Sequence, residues 1–595
     1  MNRPSLWIMG LVMCMALPTV LSATEYRVSN NAQIIAAMSS AQPGDTLTMT
    51  NGTWANAAIL FAGSGTAEAP ILLRAESYGG VILTGYSTLS ISGRHLVVDG
   101  LLFRSGSSPS GPVITFKGTV ISDSCRLTNC SIIDYNPPVL TTDIDWVALY
   151  GSHNRVDHCF FRGKTNKGTV IVVWCDTTKS DYHRIDHNYF GSRTPLNDDP
   201  TKPTSFANGF ETIRVGTGAV STTNSYTVVE SNYFFKCDGD AEFISNKSNG
   251  NTYRYNTFVS CQGQLSMRQG NACIIEGNFI LGNHATGYRG TGGIRLTGAD
   301  HKVFNNYVSG VDNNKAGSAL ALMDGTVPAV TPSYPQVRRA VVAFNTFVDN
   351  AYSISLGVNN NNGTLAPDSC IIANNVVTTT VSKPLVAVFD TLTNLTWQGN
   401  LFFGGSALGI VQPNGITISD PKMIMASDGL WRPGSGSPVV STSVSAGSFP
   451  FVVSDMDGQL RDSSPDVGAD EVSTAVVTRW PLTPADVGPP PAMVTAIAEQ
   501  SGTNNKVPTN FMLEQNYPNP FNPTTAISYQ LSAVSQVRLK IYDTLGREVA
   551  TLVDEEQNAG VHSVSWNAKN AASGVYLYRI IAGDLVDSKK MLLLK

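Results

Sequence analysis

The stretch Arg155-Val156-Asp157-His158-Cys159-Phe160-Phe161 decides the fold, because it returns. It comes back as Arg184-Ile185-Asp186-His187-Asn188-Tyr189-Phe190 and as Val228-Val229-Glu230-Ser231-Asn232-Tyr233-Phe234. Shorter echoes follow at Asn256-Thr257-Phe258, Asn278-Phe279, Asn306-Tyr307, Asn345-Thr346-Phe347, Asn375-Val376 and Asn400-Leu401-Phe402. Each phrase is a few alternating apolar residues, then Asn or His, then an aromatic or β-branched pair. The interval is mostly 22 to 30 residues, with longer gaps where a loop has grown. A repeat of this period built from short strands signals a solenoid. With no helical pattern between the strands, the solenoid is a parallel β-helix, each coil burying its inward face on the stack. A β-sandwich array would show tight hairpin turns at regular spacing, and these are sparse. The recurring Asn is expected to be a turn residue in the left-handed conformation, bonded to the next Asn. The expected fold class is therefore all-β, a right-handed parallel β-helix.

Outward from the repeat, residues 30–41 place Ile34, Ile35 and Met38 on one helical face, a cap for the open first coil, followed by the turn Pro43-Gly44-Asp45. The β-helix is expected to span 24–475, closing near Asp466-Val467-Gly468-Ala469-Asp470-Glu471. Residues 476–510 contain Pro489-Pro490-Pro491 and no clear periodicity, and read as an extended linker. In 511–595 short alternating strands take over: Val537, Leu539 and Ile541 lie on one face, Arg538, Lys540 and Tyr542 on the other. That is a small C-terminal β-sandwich.

The chain has 595 residues, of which 14% are charged, and 53 glycines. This composition favours turns and stacked polar side chains over salt-bridged helices. A formal net charge of −5 supplies no basic field for nucleic acid, so a polyanionic partner must meet a local cluster of Arg and Lys. Arg3, the apolar run from Leu6 to Leu17, and Ser22-Ala23 form a secretory signal, residues 1–23, with no transmembrane segment in the mature chain. Cys14 leaves with it, and the eight remaining cysteines have no metal-binding spacing, so they read as buried thiols.

Three segments depart from the repeat: Asn208-Gly209-Phe210-Glu211-Thr212-Ile213-Arg214, Asp240-Ala241-Glu242-Phe243-Ile244-Ser245-Asn246-Lys247, and Met267-Arg268-Gln269-Gly270-Asn271. On a strand, Asp240 and Glu242 would point to the same face and converge on one cation. Coils stack about 4.8 Å apart, so the three segments become neighbours on one wall. A carboxamide, two carboxylates, a Lys and an Arg in one groove suit β-elimination on a uronic acid. Oxygen ligands from Asn208, Asp240 and Glu242 can hold a hard cation that neutralises charge spreading into the substrate carboxylate. Lys247 is then the base, its protonated form disfavoured by the cation and Arg, and Arg268 supports the carboxylate or the departing O4. Arg214, Arg289 and Arg295 are further cations for substrate carboxylates.

At these segments the sequence resembles polysaccharide lyase family 6, the group of alginate lyases and chondroitinase B, from about Tyr26 to Glu471. The resemblance implies calcium bound by Asn208, Asp240 and Glu242, Lys247 as the Brønsted base and Arg268 as the acid. Gln269 joins Arg214, Arg289 and Arg295 as an expected substrate contact. Asp240 stands where well-studied members have Glu, one methylene longer, and Gln269 where many have His. Gly292-Gly293-Ile294-Arg295 is similar to the alginate lyases, which puts alginate first and dermatan sulfate second as the anionic partner. A surface adhesin that binds glycans without cutting them is the alternative from another class; it leaves the pairing of Lys247 with Arg268 unexplained. The tail resembles the sorting domain of type IX secretion, through Asn516-Tyr517-Pro518-Asn519-Pro520-Phe521-Asn522-Pro523, Asp543-Thr544-Leu545-Gly546-Arg547, Ser573-Gly574-Val575-Tyr576 and Lys589-Lys590-Met591. That implies the secretion machinery as a partner and release, or attachment at the outer surface, of a Gram-negative-type bacterium.

Overall fold

A computed structural model describes residues 23–193, 208–284, 290–312, 315–327, 334–359, 363–444, 446–501, 511–513, 515–516, 519–531, 534–557, 560–583 and 585–594. The expected export signal lies outside the described residues up to residue 22. From Glu25–Val28 onward each coil gives one short strand to each of three parallel sheets, which hold 14, 14 and 12 strands. The solenoid therefore begins about four coils before the first full sequence phrase. The coils there follow the same inward alternation without the Asn and aromatic markers, for example Leu73, Leu83 and Ile91, all fully buried.

Stacking in register makes the core. Val156, Ile185, Val229, Tyr253, Ile275 and Val303 occupy equivalent positions in successive coils of the first sheet and are fully buried. Beside them runs an amide ladder. Asn256 Nδ2 donates to Asn278 Oδ1 at 3.0 Å and to the Val229 carbonyl at 2.9 Å, and the pattern repeats from Asn188 to Asn400. The expectation that these Asn adopt the left-handed conformation is corrected. That conformation belongs to the residue before each: His187, Ser231, Tyr255, Asn305, Phe344 and Asn374 all have φ near 55°. The physical reason is that the left-handed residue turns the chain and thereby aims the next side chain inward, where its amide must find partners.

The cap helix α1, Asn31–Met38, starts at Asn30, whose side chain accepts from the Gln33 amide. Ile34 and Ala37 are buried on the first coils, but Ile35 is 61% exposed, so the buried face is narrower than the apolar spacing implied. All eight cysteines in the described residues are free and seven are buried, as expected.

On the outer face of the first sheet, Arg126 Nε meets Asp157 at 2.6 Å and Arg155 Nε meets Asp186 at 2.8 Å. Burial pushes the Asp186 carboxyl up, but His187, Arg155 and Arg184 outweigh it and hold it below its ordinary 3.8. A carboxyl whose folded pKa is depressed contributes stability above its unfolded value, and that stability is lost as the pH falls through the folded value. The melting temperature of the wild type should therefore fall more steeply than that of Asp186→Asn as the pH falls below about 4. Parallel slopes in a scanning fluorimetry series would contradict this.

After the last coils the chain folds back, and Leu430, Met456 and Ala469 pack on Phe279, Tyr307 and Val348. The linker expected at 476–510 is corrected where it is described. Thr478 N donates to Asp457 O, Leu482 N to Thr257 and Gly488 N to His187 O, so the segment is strapped along the solenoid. Pro491 opens a helix, α2, Pro491–Ser501, whose Met493 and Ile497 bury against Leu102 and Ile133. Two anchors four residues apart among alanines are too few to register as a periodic signal. The tail forms a three-stranded and a four-stranded antiparallel sheet around Ile527, Val537, Leu539, Ile541 and Tyr578. Among the described residues no helix is long and apolar enough to cross a membrane.

Candidate active site

Four neighbouring strands of the third sheet carry the site: Ile213–Gly216, Ile244–Lys247, Leu265–Gln269 and Ile294–Leu296. Their inward residues Ile213, Ile244, Leu265 and Ile294 are fully buried in the core, which sends Arg214, Ser245, Ser266 and Arg295 outward in one register row. Lys247 lies opposite Gly216 on one side. On the other side Asn246 pairs with Met267 and Lys247 with Gln269, so Arg268 is the extra residue of a β-bulge. A bulge re-aims a side chain. Here Arg268 Nη1 reaches Glu242 Oε2 at 3.5 Å.

Asp240 and Glu242 do not sit on a strand, as the alternation argument expected, but in the bend that leads into Ile244–Lys247. In that bend the two carboxylates take different partners. Asp240 Oδ2 accepts from the Gly209 and Phe210 amides at 3.0 and 3.1 Å, which tethers the segment carrying exposed Asn208. Glu242 accepts from the Ser245 and Ser266 hydroxyls and pairs with Arg295 Nη1 at 3.3 Å. Burial, then Glu211 and Glu242, push the Asp240 carboxyl up to about 7. For Glu242 burial acts in the same direction, but Arg295, Arg268, Ser245 and Lys247 together hold it below the usual range.

Two residues that sequence reasoning missed complete the cluster. Glu211 is 1% exposed; its Oε1 lies 3.5 Å from Lys247 Nζ, and its Oε2 is buried without a hydrogen-bond partner. The signal was present, because Glu211 shares the inward parity of Ile213 and Val215, where an acid is out of place. Tyr334 accepts from Arg268 Nη2 at 3.0 Å, with its ring 5.6 and 5.9 Å from the Arg268 and Arg295 guanidiniums. It is distant in sequence and outside any strand, so nothing in the pattern marked it.

Of the other expected residues, Arg214 lies with its guanidinium 5.4 Å from the Trp174 ring centroid. Gln269 is buried beside Lys247, and Arg295 is 6% exposed and engaged by Glu242. Arg289 lies outside the described residues. The structure thus gathers Asp240, Glu242, Lys247, Arg268 and Arg295 around one outward wall, with Asn208 at its edge.

Three acids, an orphaned buried carboxylate oxygen on Glu211 and a carboxyl raised by burial and then by its acidic neighbours fit a hard divalent cation. Among the described residues the group of three acids whose ligand atoms all lie within 4.8 Å of one another is elsewhere, Asp455, Asp457 and Asp470 at the C-terminal closure. That group is filled by Arg432, whose Nη1 reaches Asp457 at 2.6 Å and Asp470 at 2.9 Å.

Comparison with known proteins places this geometry in context. Residues 28–430 match the family model described as chondroitinase B, and residues 515–594 match the secretion system C-terminal sorting domain. The structure of the PL6 family alginate lyase AlyGC is 32% identical at a TM-score of 0.65, over 77% of this chain and 59% of that one. This chain therefore spans less than two thirds of the AlyGC length. A mannuronic acid specific family 6 lyase from human gut microbiota is 30% identical at a TM-score of 0.59, over 67% of this chain and 91% of that one. The PL6 family polysaccharide lyase Pedsa3628 from Pseudopedobacter saltans is 31% identical at a TM-score of 0.55, over 67% and 94%. Comparison with curated protein sequences gave no match.

Proposed function

The chain belongs to the chondroitinase B family, and from that premise we propose that it is an exported lyase that cleaves alginate at a uronate by β-elimination. One observation carries the reading: Lys247, Arg268 and Arg295 converge on the buried acids Glu211 and Glu242 across adjacent coils. A glycan-binding wall has no need of a lysine and a bulged arginine held on buried carboxylates.

In the proposed reaction Lys247 Nζ, in its neutral form, takes the C5 proton. The C5–H electrons form the C4=C5 double bond, the C4–O4 bond breaks, and the departing O4 takes a proton from solvent water on the side of the Arg268–Tyr334 pair. Arg268 is held firmly cationic, since Glu242 and Tyr334 outweigh the effect of its burial, and it faces the charge that grows on the substrate carboxylate. Asn208, Asp240, Glu242 and the free oxygen of Glu211 are the residues that would hold calcium. When bound, the ion would add positive charge beside that carboxylate and acidify C5–H. The product carries a 4,5-unsaturated uronate at its new non-reducing end.

Alginate is placed first because the similar proteins of known structure include alginate lyases and a mannuronic acid specific lyase. Dermatan sulfate is the second reading, favoured by the family's own description. The C-terminal sorting domain supports delivery to the exterior or the cell surface of a bacterium. The deciding experiment is ultraviolet absorbance of the conjugated product, with alginate and dermatan sulfate offered separately, in calcium and in chelator. The expected result is a rise on alginate that chelator suppresses. A rise on dermatan sulfate alone would transfer the assignment, and no rise on either from folded protein would overturn it.

A further inference from the structure

Behind the acids that face Lys247, inside the stack, lies a cation that the proposed reaction does not use. Arg193 is 2% exposed and stands where the chain leaves the second sheet after Tyr189–Phe190; Glu211 stands where the same segment reaches Ile213–Gly216. Arg193 Nη1 donates to the Glu211 carbonyl at 2.9 Å, and Nη2 donates to the Asn166 and Gly168 carbonyls of the preceding coil, each at 2.8 Å. The guanidinium carbon lies 5.0 Å from the centroid of the Phe210 ring. On the following coil a Cβ at Gly239 would lie 2.7 Å from Arg193 Nε, so the residue before Asp240 is one that lets the guanidinium pass. One side chain thus touches three successive coils, and on two of them the contact is at or next to an acid of the candidate cation site.

The turn itself does not need a cation at this position. Phe161 pairs with Phe190, which places Lys164 beside Arg193, and Arg193 pairs with Cys237. Phe235 pairs with Val259, which places Cys261 beside Cys237. All four are buried, and the two thiols close the same turn without charge. Lys164 braces the layer before Arg193: its Nζ donates at 2.8 Å to the side-chain oxygen of Asn166, the residue whose carbonyl Arg193 takes. Burial lowers the Arg193 guanidinium to about 10, and Glu211, then Asp240, act against that. Arg193 therefore remains a cation at neutral pH, with those two acids as its leading compensating charges.

We propose that Arg193 is a positioning residue for the divalent cation: its three carbonyl bonds and its charge hold Glu211 and the Gly239–Asp240 bend in place from inside the stack. Asp240 in turn accepts from the Gly209 and Phe210 amides, so the same support extends to the segment that carries Asn208. Glu211 meets Lys247, which ties the support to the proposed base. The inference rests on the calcium reading of the site given above. A buried group that orients ligands without touching the metal acts on affinity, and its replacement typically costs about 10- to 100-fold there.

The test is isothermal titration of the chelator-stripped full chain with calcium chloride. Arg193→Lys keeps the charge but lacks the planar fork that reaches three carbonyls. It is expected to bind calcium about tenfold more weakly than the wild type. It should also need correspondingly more calcium for half-maximal release of unsaturated product, with kcat at saturating calcium close to that of the wild type. Arg461→Lys is the matched control, because Arg461 is also a buried guanidinium on backbone carbonyls, those of Asp466 and Gly468, but at the C-terminal closure. It should lower the melting temperature without moving the calcium affinity. Gly239→Ala deletes no side chain and crowds the guanidinium, so it too should weaken binding, and it carries the test if Arg193→Lys does not fold. Wild-type affinity in Arg193→Lys, or in Gly239→Ala should Arg193→Lys not fold, would overturn the role of Arg193, as would an equal loss in Arg461→Lys. Equal calcium binding by the wild type and the Arg193 variant removes that role alone and leaves the calcium reading standing, whereas a folded wild type that binds no calcium removes both.

Discussion

Lys247→Ala should lower kcat on the cleaved uronate polymer by about 10²- to 10⁴-fold, the share a positioned general base contributes, with little change in KM. Lys247 closes the outward end of Ile244–Lys247, and its backbone pairing with Gly216 and Gln269 does not depend on its side chain. Its ammonium contacts Glu211 at 3.5 Å, so truncation leaves that buried acid without its cation, and a modest loss of stability accompanies the loss of turnover. Circular dichroism and the melting curve separate the two effects. Lys247→Arg is the informative control. It restores a cation beside Glu211, but a guanidinium does not give up its proton in this range, so it should recover stability and not turnover. Turnover by Lys247→Ala at the wild-type rate would remove the residue from the mechanism.

Asn256→Ala should destabilise the middle of the solenoid by about 3 to 5 kcal/mol, the sum of several buried polar groups left unpaired. The Asn256 amide donates to Val229 O and Asn278 Oδ1, and its oxygen accepts from both the backbone N and the Nδ2 of Asn232. All four groups lie inside the stack, where water does not replace a lost partner. Asn256 lies on the coil that carries Arg268 and bonds to the coils on either side, so activity should fall with stability. Amide hydrogen exchange checks this directly: faster exchange should centre on the coils around residues 229–280 and fade along the stack. Asn394→Gly is the comparison. Asn394 is exposed, takes the left-handed conformation that glycine adopts freely, and bonds to Asp368 at the surface. Its replacement should cost less than about 1 kcal/mol. Equal costs at the two positions would mean that the buried ladder does not hold the coils together.

The repeat beginning at Arg155, the cap helix at residues 31–38 and the alternation of Val537, Leu539 and Ile541 were legible in the sequence because each is a periodic signal. Periodicity reports which face of a local element is buried, and a solenoid repeats one local element many times. The same logic brought Asn208, Asp240, Glu242, Lys247 and Arg268 to neighbouring coils. What spacing could not supply was geometry set by packing between coils. The bulge at Arg268, the bend that carries Asp240 and Glu242, and the left-handed residue placed one before each ladder Asn are properties of the assembled backbone. Glu211 and Tyr334 joined the site through contacts made across coils, and α2 found its place on Leu102 and Ile133 through two side chains. The sequence by itself determined the architecture and the wall on which chemistry gathers. Tertiary structure decided which side chains meet there, because a one-residue register shift or a long-range contact moves an atom by several ångströms without changing the pattern along the chain.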